Sequence, residues 1–143
     1  MDNSKWSCTR RLEFDYGHRL LNHESKCAHA HGHRGVVEVE CRAKALDVAG
    51  RVIDFGTIKK VIGGWIDEHL DHSFLVNAND GRMLAFLISN DQRHYAFDFE
   101  PSAENLAQFL LTKANELLVD TGITVYQVRF WETPNGSATA VLR

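Results

Sequence analysis

Residues 9–20 read TRRLEFDYGHRL and alternate between two kinds of side chain. Leu12, Phe14, Tyr16, His18 and Leu20 share one face; Arg11, Glu13, Asp15 and Arg19 share the other. A period of two marks a half-buried β-strand. One residue is out of place. His18 interrupts an otherwise apolar face, and a histidine there needs a polar partner.

A second alternating run, VVEVECRAKAL (36–46), sets Val37, Val39, Cys41, Ala43 and Ala45 opposite Glu38, Glu40, Arg42 and Lys44. Between the two strands lies CAHAHGH (27–33). DVAGR (47–51) turns the chain, and TIKKVIGGWIDEHL (57–70) has apolar residues at helical spacing. Gly63 and Gly64 weaken that helix by roughly 1 kcal/mol each relative to alanine. Residues 71–98 read as mostly irregular, with a helical turn near RMLAFLI (82–88) and a short strand at HYAFDF (94–99).

PSAENLAQFLLTKANELL (101–118) carries helix start signals in Pro101 and Ser102, with Thr121 and Gly122 as the stop. ITVYQVRFWET (123–133), the turn PNG and ATAVL (138–142) complete the pattern as two further strands. The expected class is α+β in ββααββ order, within one domain spanning 1–143. A four-stranded antiparallel sheet with both helices on one face satisfies it. Val36, Tyr126, Val128 and Phe130 are assigned to the other face, which suggests cover by oligomerisation.

The 143 residues suffice for a core without staples. A formal charge of −3 argues against a general nucleic-acid binder. Cys8, Cys27 and Cys41 form no CxxC pair, which suits free thiols in a reducing compartment. The N-terminal stretch lacks the apolar core of a signal peptide, and no apolar run matches a membrane span, so a cytoplasmic protein with no membrane partner is expected.

His31 and His33 are two apart at the entry to the second strand, so their side chains point the same way, roughly 6.5 Å apart at Cα. Two such imidazoles can converge on one metal. Pairing of the first two strands brings His18 opposite them. Three imidazoles with a free fourth position form the ligand set of a catalytic zinc. The alternative is a solvated polar loop, with His23 and His29 as further histidines in it. Cys27 could serve as a fourth ligand, a nucleophile or a general base, because a nearby cation acidifies a thiol. Cys8 and Cys41 read as structural. Asp71 and His72 place an acid beside an imidazole, as proton relays require, although a helix end also favours that pair. Glu132 at a strand end could accept two hydrogen bonds from a guanidine-like heterocycle edge, or be a solvated rim residue.

Taken in order, FDYGHRL (14–20), CAHAHGH, VIDFGTIK (52–59), LDHSFL (70–75), EPSAENLA (100–107) and WET (131–133) resemble the 6-pyruvoyltetrahydropterin synthase / 6-carboxytetrahydropterin synthase family from about Arg11 to Thr133. The resemblance implies the tunnelling fold, with trimers whose sheets close into a barrel and two trimers stacked as a hexamer. It implies zinc on His18, His31 and His33, Cys27 as catalytic thiolate, and Asp71 with His72 as the second half of a proton relay. Glu132 would anchor the pterin ring, with Ser102 and Glu104 lining its pocket.

The C-x3-HGH spacing resembles the bacterial carboxytetrahydropterin-forming branch of 7-deazaguanine (queuosine) biosynthesis. That implies 7,8-dihydroneopterin triphosphate as the small-molecule substrate. The products would be 6-carboxy-5,6,7,8-tetrahydropterin, acetaldehyde and triphosphate. Formation of 6-pyruvoyltetrahydropterin, or pterin or purine binding without catalysis, are the alternatives. Two departures stand out: residues 73–100 are longer than in compact members, and PSAEN replaces a threonine-bearing version. Arg19, Lys26 and Arg34 could take triphosphate or be surface charge.

Overall fold

The computed structural model describes residues 2–143. Strands β1 (Trp6–His18) and β2 (His31–Ala43) form a long antiparallel pair. A helical run follows: α1 (Phe55–Ile58), a π-helical turn (Lys59–Gly63) and α2 (Gly64–His69). Then come β3 (Ser73–Asn77), α3 (Gly81–Ser89), β4 (His94–Phe97), α4 (Ala103–Leu117), β5 (Thr124–Thr133) and β6 (Gly136–Val141).

The sheet has six strands in the order β4-β3-β1-β2-β5-β6. It is mixed: β3 runs parallel to both β1 and β4, while the other pairs are antiparallel. This corrects the expected four-stranded antiparallel sheet; within 71–98, read as mostly irregular, the helical turn near 82–88 and the strand at 94–99 are present as α3 and β4, and β3 is the addition. The added strands are short, and four of the five residues of β3 are buried. Parallel strands covered on both faces carry no apolar–polar alternation for a sequence to display.

Alternation along β1 and β2 holds as expected. Leu12, Phe14, Val37, Val39 and Cys41 face a core closed by Ile58, Ile62, Ile66, Leu106 and Leu110 of the helical run and α4. Gly63 lets the helix approach the sheet, since a Cβ there would lie 3.4 Å from Leu12 Cδ2. Val128 and Phe130 are fully buried in this same core, correcting their assignment to the outer face. The reason is a β-bulge: opposite Glu40 and Cys41 the register steps from Gln127 to Val125, so Tyr126 is the extra residue and the alternation shifts beyond it. Tyr126 instead lies under the Arg42 guanidinium, 3.2 Å from its ring centroid.

α3 crosses between the parallel strands β3 and β4. Val76 and Leu87 are buried yet stand apart from the main core cluster, whereas Leu75 belongs to it. Strand alternation therefore puts Val76 and α3 on the opposite face from α4. Among the described residues, no helix is long and apolar enough to cross a membrane.

Two glycines separate packing from propensity. A Cβ on Gly35 would meet Tyr16 Cε1 at 3.0 Å and Phe130 Cζ at 3.1 Å, while one on Gly64 meets nothing within 4 Å. Gly35→Val is expected to cost about 1–3 kcal/mol through overpacking, whereas Gly64→Ala should add up to about 1 kcal/mol in a helix interior. Urea unfolding of both variants beside wild type checks the opposite signs.

Candidate metal centre and proton relay

The β1–β2 register places His18 directly opposite His31 and Tyr16 opposite His33. All three histidines lie on the core-facing side of their strands, at the end of the ladder where the core stops. The result is a cluster in which one ring nitrogen from each residue lies within 4.8 Å of the others. His18 is 1% exposed and His33 is partly buried.

The hydrogen bonds define what this cluster wants. His18 Nδ1 donates to the Pro101 carbonyl at 2.8 Å, and His31 Nδ1 donates to the His29 carbonyl at 2.6 Å. A neutral imidazole has one N–H, so both Nε2 atoms are left as lone pairs. They face each other 3.1 Å apart. His33 Nε2 is buried with no partner. Converging lone pairs could hold a cation between them. Burial, then the neighbouring His31 and His33, push the His18 pKa down to about 4, so a proton does not fill that role at neutral pH. Burial lowers His33 as well. Imidazoles held by carbonyls behind them are the usual arrangement of metal-binding histidines. The donor set fits a divalent transition metal.

Glu132 reaches the same place from β5. Its Oε1 lies 3.4 Å from His18 Nε2 and 3.7 Å from His33 Nε2. It follows Trp131, where the β5–β6 register is irregular, so the carboxylate turns toward the histidines. Tyr16 packs its ring against His18 and His33, and its hydroxyl is buried without a partner.

Asp71 and His72 form a second cluster with Asp15. His72 Nδ1 donates to Asp71 Oδ2 at 2.8 Å, and Asp71 Oδ1 accepts the Asp15 amide at 2.9 Å. Burial pulls the Asp71 carboxyl upward, but the Asp15 amide and His72 outweigh it and leave it below its usual range. His72 has φ 59°, the left-handed region, and its amide donates to the Asp15 carbonyl at 2.7 Å. Arg93 secures the turn, donating to the carbonyls of Asp67, Glu68 and Asp71. That ties down the C-terminal end of α2, where a cation also suits the helix dipole.

By strand alternation the Asp15 and His18 side chains leave β1 on different sides, although His31, His33 and His72 line one cavity. Asp15 alternates with His18's face, and Arg34, which pairs with Asp15 at 3.2 Å, leaves β2 on that same outer side. A cavity of about 690 Å³ opens there, lined by His72, Phe74, Phe86 and Arg93. The paired Gly17 and Gly32 lie on its floor. Gly32 thus keeps the outer face bare between two histidines that line the same opening.

Cys27 sits on a 3-10 turn (Lys26–Ala28), partly buried and unpaired with any other cysteine. It is outside the three-imidazole set. Its carbonyl accepts the Leu20 amide at 2.9 Å, which closes the loop between β1 and β2. His23 and His29 also stay out of the cluster; His23 caps a local turn through Ser25. Ser102 is the N-cap of α4, its hydroxyl accepting the Asn105 amide at 3.2 Å, and Glu104 is exposed in the first turn. Sequence reading missed Asp15, Arg93 and the carbonyls of His29 and Pro101. The two carbonyls carry no side-chain signal at all; Asp15 had one, as a carboxylate three residues before His18.

Comparison with known proteins gives the family. Residues 7–141 match the family model described as 6-pyruvoyl tetrahydropterin synthase. A Rickettsia felis protein named 6-carboxy-5,6,7,8-tetrahydropterin synthase is 43% identical over 131 residues, covering 90% of this chain and 94% of its own. Its Rickettsia bellii namesake is 40% identical over 130 residues with the same coverage. Among solved structures, an uncharacterized Wolinella succinogenes protein superposes with a TM-score of 0.87 at 24% identity, over 96% of this chain and 98% of that one. A Caenorhabditis elegans 6-pyruvoyl tetrahydropterin synthase gives 0.74 at 22% identity over 100% of both chains. The chain belongs to the 6-pyruvoyl tetrahydropterin synthase family.

Proposed function

We propose that this chain is a zinc-dependent carbon–carbon lyase, a 6-carboxytetrahydropterin synthase. It would convert 7,8-dihydroneopterin triphosphate to 6-carboxy-5,6,7,8-tetrahydropterin, acetaldehyde and triphosphate in 7-deazaguanine (queuosine) biosynthesis. The observation that carries the reading is the convergence of three imidazole nitrogens, two of them lone pairs 3.1 Å apart. The names of the relatives at 40–43% identity favour the carboxy product over 6-pyruvoyltetrahydropterin.

His18, His31 and His33 would hold the zinc, which when bound supplies Lewis acidity to the side-chain oxygens of the substrate. Glu132, beside the imidazoles, would accept hydrogen bonds from the pterin edge and fix the ring relative to them. Cys27 would take a proton from the substrate side chain as the thiolate. His72 would move a proton at Nε2, since Nδ1 is committed to Asp71. Asp71 keeps that tautomer and favours the protonated ring in passing. Ser102 and Glu104, at the start of α4, would contribute to the pterin pocket.

The alternation that sends Asp15 and His18 to different sides of β1 favours an oligomeric site over a relay within the one cavity that His31, His33 and His72 line. In this reading His72, with 74% of its side chain exposed, serves the imidazole cluster of a neighbouring protomer in a trimer or a dimer of trimers. The outer face, with Val36 and Trp131 beside Glu132, would then be covered. The protein would work in the cytoplasm.

Three measurements follow. Incubation with 7,8-dihydroneopterin triphosphate should release acetaldehyde and triphosphate in equal amounts; triphosphate without acetaldehyde would favour the pyruvoyl product, and neither would favour a binder. Cys27→Ala and His72→Ala should each be inactive alone. Refolded together in equal amounts, they should regain activity in roughly a quarter of sites by random assortment; a relay within one chain would leave the mixture inactive. Finally, the metal-free protein should lose stability as pH falls. His18 has a folded pKa of about 4, below the unfolded 6.5, so the unfolded state binds the extra proton between those values. The loss should approach about 3 kcal/mol by pH 4 and be absent above pH 6.5, as chelator-treated protein in urea titrations would show.

A further inference from the structure

Among the described residues, four polar or charged side chains are buried: His18, Ser73, Asn77 and Asp80. Asn77 ends β3 and Asp80 caps the start of α3. Neither touches the imidazole cluster. Buried polar groups are costly unless satisfied, so their partners show what they are for.

Asp80 takes a bidentate pair from Arg19, at 2.5 Å from Nε and 2.7 Å from the terminal nitrogen. That guanidinium holds the Asp80 carboxyl below its usual range. Asn77 Nδ2 donates to Glu100 Oε1 at 2.7 Å. The Glu100 carboxylate in turn accepts the consecutive amides of Leu21 at 3.1 Å and Asn22 at 3.2 Å. Directly or through Glu100, these contacts end on residues 19–22, the limb of the loop that leaves β1 just after His18. The loop's other limb is tied to it where the Leu20 amide meets the Cys27 carbonyl.

We infer that Asp80, Asn77 and Glu100 are positioning residues that clamp the 19–22 limb and thereby, through the Leu20–Cys27 backbone bond, hold Cys27 in place relative to the strands that carry the imidazoles. The inference rests on the catalytic role proposed for Cys27. It also explains what the β3–α3 segment does for the site. That segment supplies two of the three anchors, and Asp80 caps α3 as well by accepting the Met83 amide. Charged acceptors on backbone amides are among the stronger hydrogen bonds, and two adjacent amides share one carboxylate here. The loop is held by the Arg19–Asp80 ion pair at one point and by Glu100's capture of two backbone amides at the next.

The test is hydrogen–deuterium exchange on the zinc-loaded enzyme, run beside steady-state kinetics and metal content. Glu100→Ala and Asp80→Ala should speed amide exchange in residues 20–28 by about tenfold or more, with exchange across α4 unchanged. Their kcat should fall roughly ten- to a hundredfold with zinc content and KM near wild type, since small misplacement of a reacting group is costly. Glu100→Gln, which keeps one acceptor oxygen and folds more safely, should lie between. Unchanged exchange in 20–28, or faster exchange with kcat unaltered, would overturn the clamp. Should wild type fail to turn over 7,8-dihydroneopterin triphosphate, the functional reading falls while the exchange arm still decides whether the loop is held.

Discussion

Two lone pairs pointed at each other across 3.1 Å are the constraint from which the rest of this molecule follows. His18 and His31 each commit their only N–H to a carbonyl behind the ring. Left alone, the facing nitrogens repel. Burial makes protonation an unfavourable remedy, as the depressed His18 pKa of about 4 shows. The fold therefore pre-organises three imidazoles that could hold a cation, and the strands that carry them must be rigid enough to hold the repulsion. Thirteen-residue strands paired along their whole length provide that stiffness.

The supports are backbone groups and remote acids more than they are neighbouring side chains. Glu100, Pro101 and Ser102 illustrate the arrangement. Glu100 captures the loop amides, Pro101 orients His18, and Ser102 caps α4. Three successive residues thus join the start of the last helix to the loop and to the imidazoles. Displacing α4 would disturb all of them together. Arg93 has an equivalent place under Asp71 and His72, holding the turn that gives His72 its left-handed backbone.

What could be read from the sequence was set by period. β1 and β2 alternate, so their faces, the His18–His31–His33 juxtaposition and the ββ pairing were legible from residue order alone. α4 announced itself by caps and spacing. β3 did not, because a five-residue buried parallel strand carries no alternation; β4 was read as a short strand at 94–99 but not placed in the sheet, so the six-stranded mixed order was missed. Val128 and Phe130 were placed on the wrong face because the Tyr126 bulge resets the count. The three-histidine cluster was legible because imidazoles are side chains; the carbonyls of Pro101 and His29 were invisible because a backbone acceptor has no residue type. Asp80 and Glu100 carried no signal for such a role, since only the fold brings them to the loop.

The most direct test of the central claim is metal content of protein purified without chelator, wild type beside His31→Ala. The account predicts about one zinc per chain in wild type and little in the variant, with the fold retained. Equal metal in both, or none in wild type at full zinc supply, would contradict it.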